Sequence, residues 1–153
     1  KCANTPVPWT SDKLLPDRPL FTRAELDALV DEAHRAGVQV CCHVCGSDST
    51  ESTLDAIQAG VDLVDHGSYL DDEGVAEMVE RNTWYCPMFA IMDFHRKRNP
   101  NPAVRPIADK SFKQTQASFR KVVEAGVRFC MGTDQGTESG WQGLELQCMV
   151  DTG

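Results

Sequence analysis

The tripeptide Ala-Gly-Val occurs three times in this chain, at residues 36–38, 59–61 and 125–127. Each copy closes a segment with helical periodicity and opens a short apolar run. Glycine is favoured just after a helix because it adopts positive φ at little cost. Apolar runs with few polar interruptions are typical of parallel strands that are covered by helices. The repeat therefore predicts an α/β fold in which helices alternate with parallel strands.

The remaining patterns place the other elements of this fold. Thr22 and Glu25 form a capping-box sequence at the start of a helix, and the acidic residues 71–73 suit the first turn of another. Asn82 stands where the other helices have a terminal glycine. We predict strands at residues 38–43, 61–66, 83–86 and from 127 toward 134, and helices that begin at residue 22, at 49 or 50, at 71, at 111 and at 144.

Two segments depart from this alternation. Residues 1–19 contain four prolines, which exclude a helix or a central strand, so we predict a long loop there. Between residues 89 and 110 the pattern lapses into residues 93–102, which are mostly polar and contain two prolines, and we interpret this region as a loop that forms a solvated insertion. The alternative is a lid whose cations bind an anionic group of a substrate, since long loops in compact domains are often functional.

Charge and composition narrow the kinds of partner. The chain has 153 residues, enough for one core, with a formal charge of -8 and a pI near 4.9. This acidity argues against nucleic acid or an anionic membrane surface as a partner. No apolar run approaches the ~20 residues that span a bilayer. Seven cysteines, an odd number, favour reduced thiols and a cytoplasmic location.

One cysteine pair allows a second interpretation. Cys42 and Cys45 form a Cys-x-x-Cys sequence, which occurs in redox pairs and in zinc sites. No second pair follows it in the chain. We therefore favour packing of Cys41 and Cys42 on opposite faces of a strand.

Each of three apolar runs ends in a side chain that can bind a metal. His43 follows Gly37 by six residues, His66 follows Gly60 by six, and Asp134 follows Gly126 by eight. Carboxyl ends of parallel strands meet at one edge of a sheet, so we expect these three side chains to gather there. Two imidazoles and a carboxylate are ligands that zinc and similar divalent ions prefer. Singly, each has an ordinary structural explanation, as a buried histidine or as a turn residue.

These segments also resemble a known family. Residues 40–46 (VCCHVCG), 59–67 (AGVDLVDHG) and 126–134 (GVRFCMGTD) are similar in order and spacing to the fifth, sixth and eighth strands of the amidohydrolase superfamily. The similarity is strongest to the branch of imidazolonepropionase-like and Xaa-Pro dipeptidase-like enzymes. It implies that residues 1–153 form one partial domain, the second half of a TIM-type (β/α)8 barrel, from the end of strand four through the helix after strand eight.

The resemblance further implies a chemistry. His43 and His66 would bind one ion of a one- or two-metal centre, with zinc the first expectation. Asp134 would bind the other ion and act as the general base, and Lys1 would match a carboxylated lysine that bridges both. The implied reaction is cleavage of an amide bond in a small molecule or dipeptide by a metal-activated hydroxide. The substrate would be a dipeptide, a cyclic amide or a related carboxamide.

Two features leave the finer assignment open. The family's first-strand His-x-His pair is absent, so we expect the chain by itself to hydrolyse nothing measurable. Trp141 falls where many relatives have a histidine, which leaves the substrate range open.

The alternative to an enzyme is a non-catalytic fragment or an assembly module. A half barrel exposes sheet edges, so we expect it to pair with another copy as a homo-oligomer or with the N-terminal half of the barrel.

Overall fold

The computed structural model describes residues 1–5, 19–45, 50–134 and 140–153. In these ranges, four parallel strands form one sheet in the order β1-β2-β3-β4, and helices connect them. The α/β class and the parallel sheet predicted from the sequence are confirmed. The elements are β1 (Cys2–Ala3), α1 (Arg23–Arg35), β2 (Cys41–Val44), α2 (Glu51–Ala59), β3 (Leu63–His66), α3 (Asp72–Arg81), β4 (Trp84–Cys86), α4 (Phe89–Arg98), α5 (Val104–Glu124) and α6 (Trp141–Thr152).

Local capping explains where several helices begin and end. Thr22 and Glu25 form the predicted capping box, in which each side chain accepts a hydrogen bond from the other residue's backbone N–H. The Asp71 side chain accepts from the Gly74 N–H at the start of α3. Gly60 and Asn82 end α2 and α3 in the left-handed conformation, with φ of 92° and 61°. Asparagine tolerates that conformation better than most residues, so Asn82 replaces glycine there.

The hydrophobic core lies between one face of the sheet and the helices. Cys42 and Val44 of β2 belong to it, whereas Cys41 and His43 lie on the opposite face because strand side chains alternate. The predicted separation of Cys41 and Cys42 is therefore confirmed. Fully buried members of this core include Val44, Ile57, Val64, Met78, Tyr85 and Phe89.

Both central strands begin later than predicted. Residues 38–40 and 61–62 lie outside β2 and β3. The Val38 N–H donates to the Ala33 carbonyl in the turn after α1, and Val38 is largely exposed. The Val40 N–H donates to the Asp62 carboxylate. The backbone N–H groups of Val38 and Val40 thus form hydrogen bonds outside the strand ladder. The apolar pattern therefore overestimated the length of the strands.

The predicted strand after Gly126 is reduced to a single bridge. Phe129 pairs with Tyr85 in parallel, through hydrogen bonds from the Tyr85 N–H to Arg128 and from the Cys130 N–H to Tyr85. This segment extends the sheet beyond β4. Within the described residues no further strand pairs with its outer side, so the ladder stays short.

The prediction of a loop over residues 89–110 was wrong. Helix α4 begins at Phe89 and α5 begins at Val104, which leaves a connection of residues 99–103. The N–H groups of Phe89 and Ala90 donate to the carboxylate of Glu145, at 2.9 and 2.6 Å. The distant Glu145 carboxylate therefore satisfies backbone N–H groups in the first turn of α4. Met88, at the N-cap position, forms no side-chain hydrogen bond with them.

The amino-terminal prediction was wrong at its start. Cys2 and Ala3 form β1 and pair with Cys42 and His43. Residues 6–18, which carry most of the predicted loop, lie outside the described residues, as do Ser49 and residues 135–139. Helix α6 begins at Trp141, earlier than predicted. Among the helices described, none has the length and apolar character to cross a membrane.

Candidate active site

Two histidines meet at the carboxyl edge of the sheet. His43 lies in β2 and His66 ends β3, and their ring centroids are 4.6 Å apart in an edge-to-face arrangement. The strand register pairs His43 with Asp65 and Val44 with His66, so simple alternation would place the rings on opposite faces. His66 has a φ of 67°, which interrupts the alternation at the last residue of the strand. That left-handed turn accounts for the contact between the rings.

The ring nitrogens of these histidines are poorly satisfied. His43 is 7% exposed and His66 is 1% exposed. His43 Nε2 and both nitrogens of His66 are buried without a hydrogen-bond partner. Such groups are rare in folded proteins because each costs free energy of desolvation, so an orphaned group calls for an explanation such as a bound ion.

Burial also keeps these imidazoles neutral. Desolvation lowers the pKa of His66 well below its ordinary value, and the nearby His43 and Lys1 add to the effect. Desolvation and then Lys1 lower the pKa of His43. Neutral imidazole has a free lone pair, which is the form that binds metals.

Asp134 lies beside this pair on the segment that extends the sheet. Its Oδ2 is 3.7 Å from His66 Nε2, and its side chain is 47% exposed. That distance is too long for a hydrogen bond. It is close to the roughly 3.4 Å that separates two ligand atoms of one tetrahedral zinc at ~2.1 Å each. Asp134 has a φ of 48°, a second left-handed residue at this edge.

Lys1 reaches the same edge through a residue that the sequence analysis did not single out. Its Nζ lies 2.6 Å from Oδ2 of Asp65, a buried carboxylate that also accepts from the Cys41 thiol at 2.9 Å. Burial lowers the pKa of Lys1, but the hydrogen bond and charge of Asp65 outweigh it, and the net shift is upward. Lys1 is therefore an ammonium ion held by Asp65 in this arrangement. Asp65 gave a sequence signal, since it precedes His66 in the Asp-His-Gly motif.

Two more residues near this edge escaped the sequence analysis. His95 lies on α4 within electrostatic range of Asp134: burial lowers the pKa of His95 and Asp134 opposes that shift. Glu145 is fully buried, and desolvation raises its pKa to about 7 despite its two backbone hydrogen bonds. His34, by contrast, lies away on α1 and contacts Asp62. The interaction of His95 with Asp134 and the hydrogen bonds of Glu145 join residues far apart in the sequence, so no local pattern signals them.

The donor set can be tested for its fit to a divalent metal. Across the described ranges, no three His, Cys, Asp or Glu side chains are already arranged to hold an ion. The pair of neutral histidines with three orphaned buried nitrogens, next to a carboxylate, nevertheless has the chemistry that such an ion requires. The chemical types of these side chains therefore match those of zinc ligands, with His43 and His66 as nitrogen donors and Asp134 as an oxygen donor.

The fold and the site together define a class. Parallel strands alternate with helices, and the polar side chains gather at the carboxyl edge, as in part of a (β/α)8 barrel. A family model described as the amidohydrolase family matches residues 15–151. This chain belongs to the amidohydrolase family.

Two individual relatives are similar to this chain in sequence. Ochratoxinase of Aspergillus niger is 30% identical over 140 residues, which cover 87% of this chain and 28% of the relative. An uncharacterized protein of Mycobacterium tuberculosis is 28% identical over 137 residues, or 84% of this chain and 35% of that protein.

Solved structures show the same relationship. A Xaa-Pro dipeptidase with bound methionine in its active site superposes with a TM-score of 0.84 and 33% identity, over 99% of this chain and 38% of that chain. The crystal structure of A. niger ochratoxinase gives a TM-score of 0.82 at 25% identity, over 99% of this chain and 34% of that one. The chain therefore spans about a third of the length of these relatives.

Proposed function

We propose that the protein to which this chain belongs is a metal-dependent hydrolase that cleaves the amide bond of a dipeptide, a cyclic amide or a related carboxamide. The observation that carries the proposal is the contact of His43 and His66, with three buried ring nitrogens that have no partner. The relatives named dipeptidase and ochratoxinase support a hydrolase.

The proposed role of each residue follows from its surroundings. His43 and His66 are neutral donors at physiological pH because burial lowers the pKa of each. A divalent ion held there would make a bound water more acidic and polarise the substrate carbonyl. Asp134 is partly exposed beside His66, so it can accept a proton from the attacking water and deliver it to the leaving nitrogen.

Lys1 and Asp65 form the second part of the proposal. Lys1 would become a metal ligand only after its amine is carboxylated, and that reaction requires the neutral amine. The ion pair with Asp65 favours the ammonium form. Carboxylation would therefore release Asp65, which then has the Cys41 thiol as its remaining described partner.

The test is metal binding by the chain and by three histidine variants. We expect the chain to bind zinc, and His43→Gln or His66→Gln to weaken that binding at least tenfold, since each removes a nitrogen ligand. His34→Gln is the matched control, because His34 lies on α1 and contacts Asp62. Zinc content after dialysis and titration calorimetry measure the effect. Equal zinc affinity in all four proteins would remove the histidine pair from the proposal.

A second candidate function is a non-catalytic assembly module. It is favoured by the exposed apolar side chains Phe129, Leu146 and Val150 near the short outer edge of the sheet. Turnover of a dipeptide panel by the full-length protein discriminates between the candidates. Hydrolysis that is lost with chelator and restored by zinc supports the enzyme, and a metal-free, inactive protein supports the module.

A further inference from the structure

Glu145 is a buried carboxylate that joins two helices. It lies in the first half of α6 and is 0% exposed. Its Oε1 accepts a hydrogen bond from the Phe89 N–H at 2.9 Å, and its Oε2 accepts one from the Ala90 N–H at 2.6 Å. Phe89 and Ala90 are the first two residues of α4. A single side chain thus fixes where α4 starts relative to α6.

Among the residues that the structure describes, no cation compensates this carboxylate. The ionisable groups near it are Tyr85 and Cys86 of β4 and Cys148 of α6. Burial raises the pKa of all three, so they are uncharged near neutral pH. Burial also raises the pKa of Glu145 to about 7, despite its two hydrogen bonds. A buried charge without a counter-ion is costly, so net stability does not explain why a carboxylate holds α4.

The start of α4 in turn contacts the segment that carries Asp134. Met88 precedes α4 in the left-handed conformation, with φ of 53°, and is 7% exposed. A Cβ at Gly132 would lie 3.2 Å from Met88 Cε and 3.5 Å from its Cγ, so the Met88 side chain packs against Gly132. Gly132 precedes Asp134 by two residues. The position of Met88 therefore limits where the backbone before Asp134 can lie.

The segment that carries Asp134 is attached to the sheet at one point. In the described part of the chain, it pairs with the sheet only through the bridge between Phe129 and Tyr85. The Asp134 side chain is 47% exposed, and its Oδ2 is 3.7 Å from His66 Nε2, beyond hydrogen-bond distance. The direction of this side chain is therefore set by the backbone that carries it. The contact of Gly132 with Met88 is one of the few that hold this backbone.

We propose that Glu145 is a positioning residue for Asp134. Its carboxylate holds the first turn of α4, α4 holds Met88 against Gly132, and Gly132 sets the backbone that carries Asp134. Glu145 itself touches neither the substrate nor a metal. The catalytic consequence rests on the proposed role of Asp134 as the general base, whereas the structural link can be measured without turnover.

The first test is hydrogen exchange of backbone amides in the full-length protein, measured by mass spectrometry in chelator-containing buffer. Glutamine at position 145 keeps one acceptor oxygen, and methionine has a similar length and none. We expect exchange in residues 86–92 to rise about tenfold or more in Glu145→Gln, because a hydrogen bond to a charged group is lost, and further in Glu145→Met. Exchange in residues 129–134 should rise in the same order.

The second test is kinetic and uses the dipeptide of the panel that the full-length protein hydrolyses fastest, at pH 8, where Glu145 is ionised. We expect kcat to fall about 10- to 100-fold in Glu145→Gln, since a small misplacement of a catalytic group has an effect of this size. KM should stay close to that of the parent, because the proton moves in the transition state. Zinc content should persist, since His43 and His66 are unchanged.

A purely structural role for Glu145 has different consequences. Activity would then follow the folded fraction, and glutamine, which avoids the buried charge, would leave kcat near that of the parent. Melting temperatures of the same proteins separate the two roles, because a positioning residue lowers kcat in a fully folded protein. Glu80→Gln, on the exposed surface of α3, is the matched control and should change neither exchange nor kcat.

The outcomes keep this inference apart from the proposed function. Faster exchange in residues 86–92 with unchanged exchange in residues 129–134 would overturn the inference, because α4 would then move without the Asp134 segment. Unchanged exchange in both segments, or a near-normal kcat in Glu145→Met, would also overturn it. If Glu145→Met does not fold, the same criteria apply to Glu145→Gln. If exchange follows the expected order but the parent hydrolyses no dipeptide, the positioning link stands and the proposed hydrolase fails.

Discussion

His66 shows how a single backbone angle creates the candidate site. The register of β2 and β3 sets His66 opposite Val44, a core residue, while His43 is opposite Asp65. The positive φ of His66 brings its ring to His43. Non-glycine residues in this conformation are uncommon and concentrate at functional sites. Asp134 has the same feature, so two of the three candidate ligands lie in left-handed turns.

Asp134→Asn tests the proposed general base in the full-length protein. Asparagine keeps the size and one oxygen but loses the basic site. We expect kcat to fall by about 10²–10⁴-fold while bound metal largely persists, since the proton moves in the transition state. Kinetics, metal content and melting temperature are measured on the one variant. A stable, metal-loaded variant with near-normal kcat would exclude Asp134 from the mechanism.

Glu145 should make stability depend on pH. Its pKa is about 7 in the folded chain against 4.5 for an ordinary glutamate, because burial disfavours the charge. Between about pH 4.5 and 7, the folded state keeps a proton that the unfolded state has lost. Stability therefore falls as pH rises through this window, by about 3 kcal/mol for a shift of this size.

Glu145→Gln should flatten that dependence. Glutamine stays neutral at every pH, so the difference in unfolding free energy between pH 4.5 and 7.5 should shrink relative to the parent chain. Urea unfolding at a series of pH values measures it. Glu80→Gln, on the exposed surface of α3, is the control. Identical pH profiles for the parent and Glu145→Gln would show that burial of Glu145 does not perturb its ionisation.

At the scale of elements, the connections around β4 are closely packed. Gly132 lies in the segment after Phe129, and a Cβ at this position would be 2.6 Å from Cys86 Sγ and 3.2 Å from Met88 Cε. Cys86 ends β4, and Met88 precedes α4 in a left-handed conformation. The absence of a side chain at Gly132 thus allows the edge segment to approach the end of β4.

Gly132→Ala should destabilise the chain. The added methyl overlaps the Cys86 sulfur, and overpacking of this kind costs about 1–3 kcal/mol. The free energy of unfolding in urea measures the effect. Gly143→Ala is the control, because Gly143 lies inside α6 and its added Cβ meets no atom within 4 Å. There alanine should stabilise by about 0.5–1 kcal/mol through its helix propensity. Equal effects at the two glycines would contradict the packing argument.

At the scale of the whole molecule, several exposed apolar side chains lie near the outer edge of the sheet. Phe129, Met131, Leu146 and Val150 are 41%, 44%, 52% and 76% exposed. They belong to or adjoin the segment around Phe129, which pairs with β4 and, among the described residues, with no other strand. Exposed edges and apolar patches favour association. The solved relatives that match this chain are more than twice its length, with 34% and 38% of their chains covered.

The chain by itself should therefore self-associate. We expect its mean mass in analytical ultracentrifugation to rise with concentration, because association buries the apolar side chains. Leu146→Lys combined with Val150→Asp should shift the population toward monomer. The control pair is Asp27→Lys with Glu32→Lys, on the exposed face of α1. A parent chain that stays monomeric over the accessible concentrations would rule out this surface as an interface.

Local sequence determined the start of α1, the ends of α2 and α3, the α/β class and the residues available for chemistry. Thr22 with Glu25, Gly60 and Asn82 act on backbone groups within a few residues, so a pattern reveals them. The positions of His43, His66 and Asp134 at strand ends were predicted from the same repeat, since parallel strands share one carboxyl edge.

Only the tertiary structure decided where α4 begins, how the His66 ring is oriented and how the outer edge of the sheet pairs. Helix α4 begins where Glu145, 55 and 56 residues away, accepts a hydrogen bond from each of its first two N–H groups. Met88 provides no side-chain cap there, so the local sequence gave no signal of the helix start. The side of the sheet on which the His66 ring lies depends on the positive φ of that residue. The segment near Phe129 forms only a bridge because no described strand pairs with its outer side. The ring of Phe94 in α4 packs against the ring of Trp141 in α6. Each of these features depends on contacts between residues far apart in the chain, whose free energy no local pattern encodes.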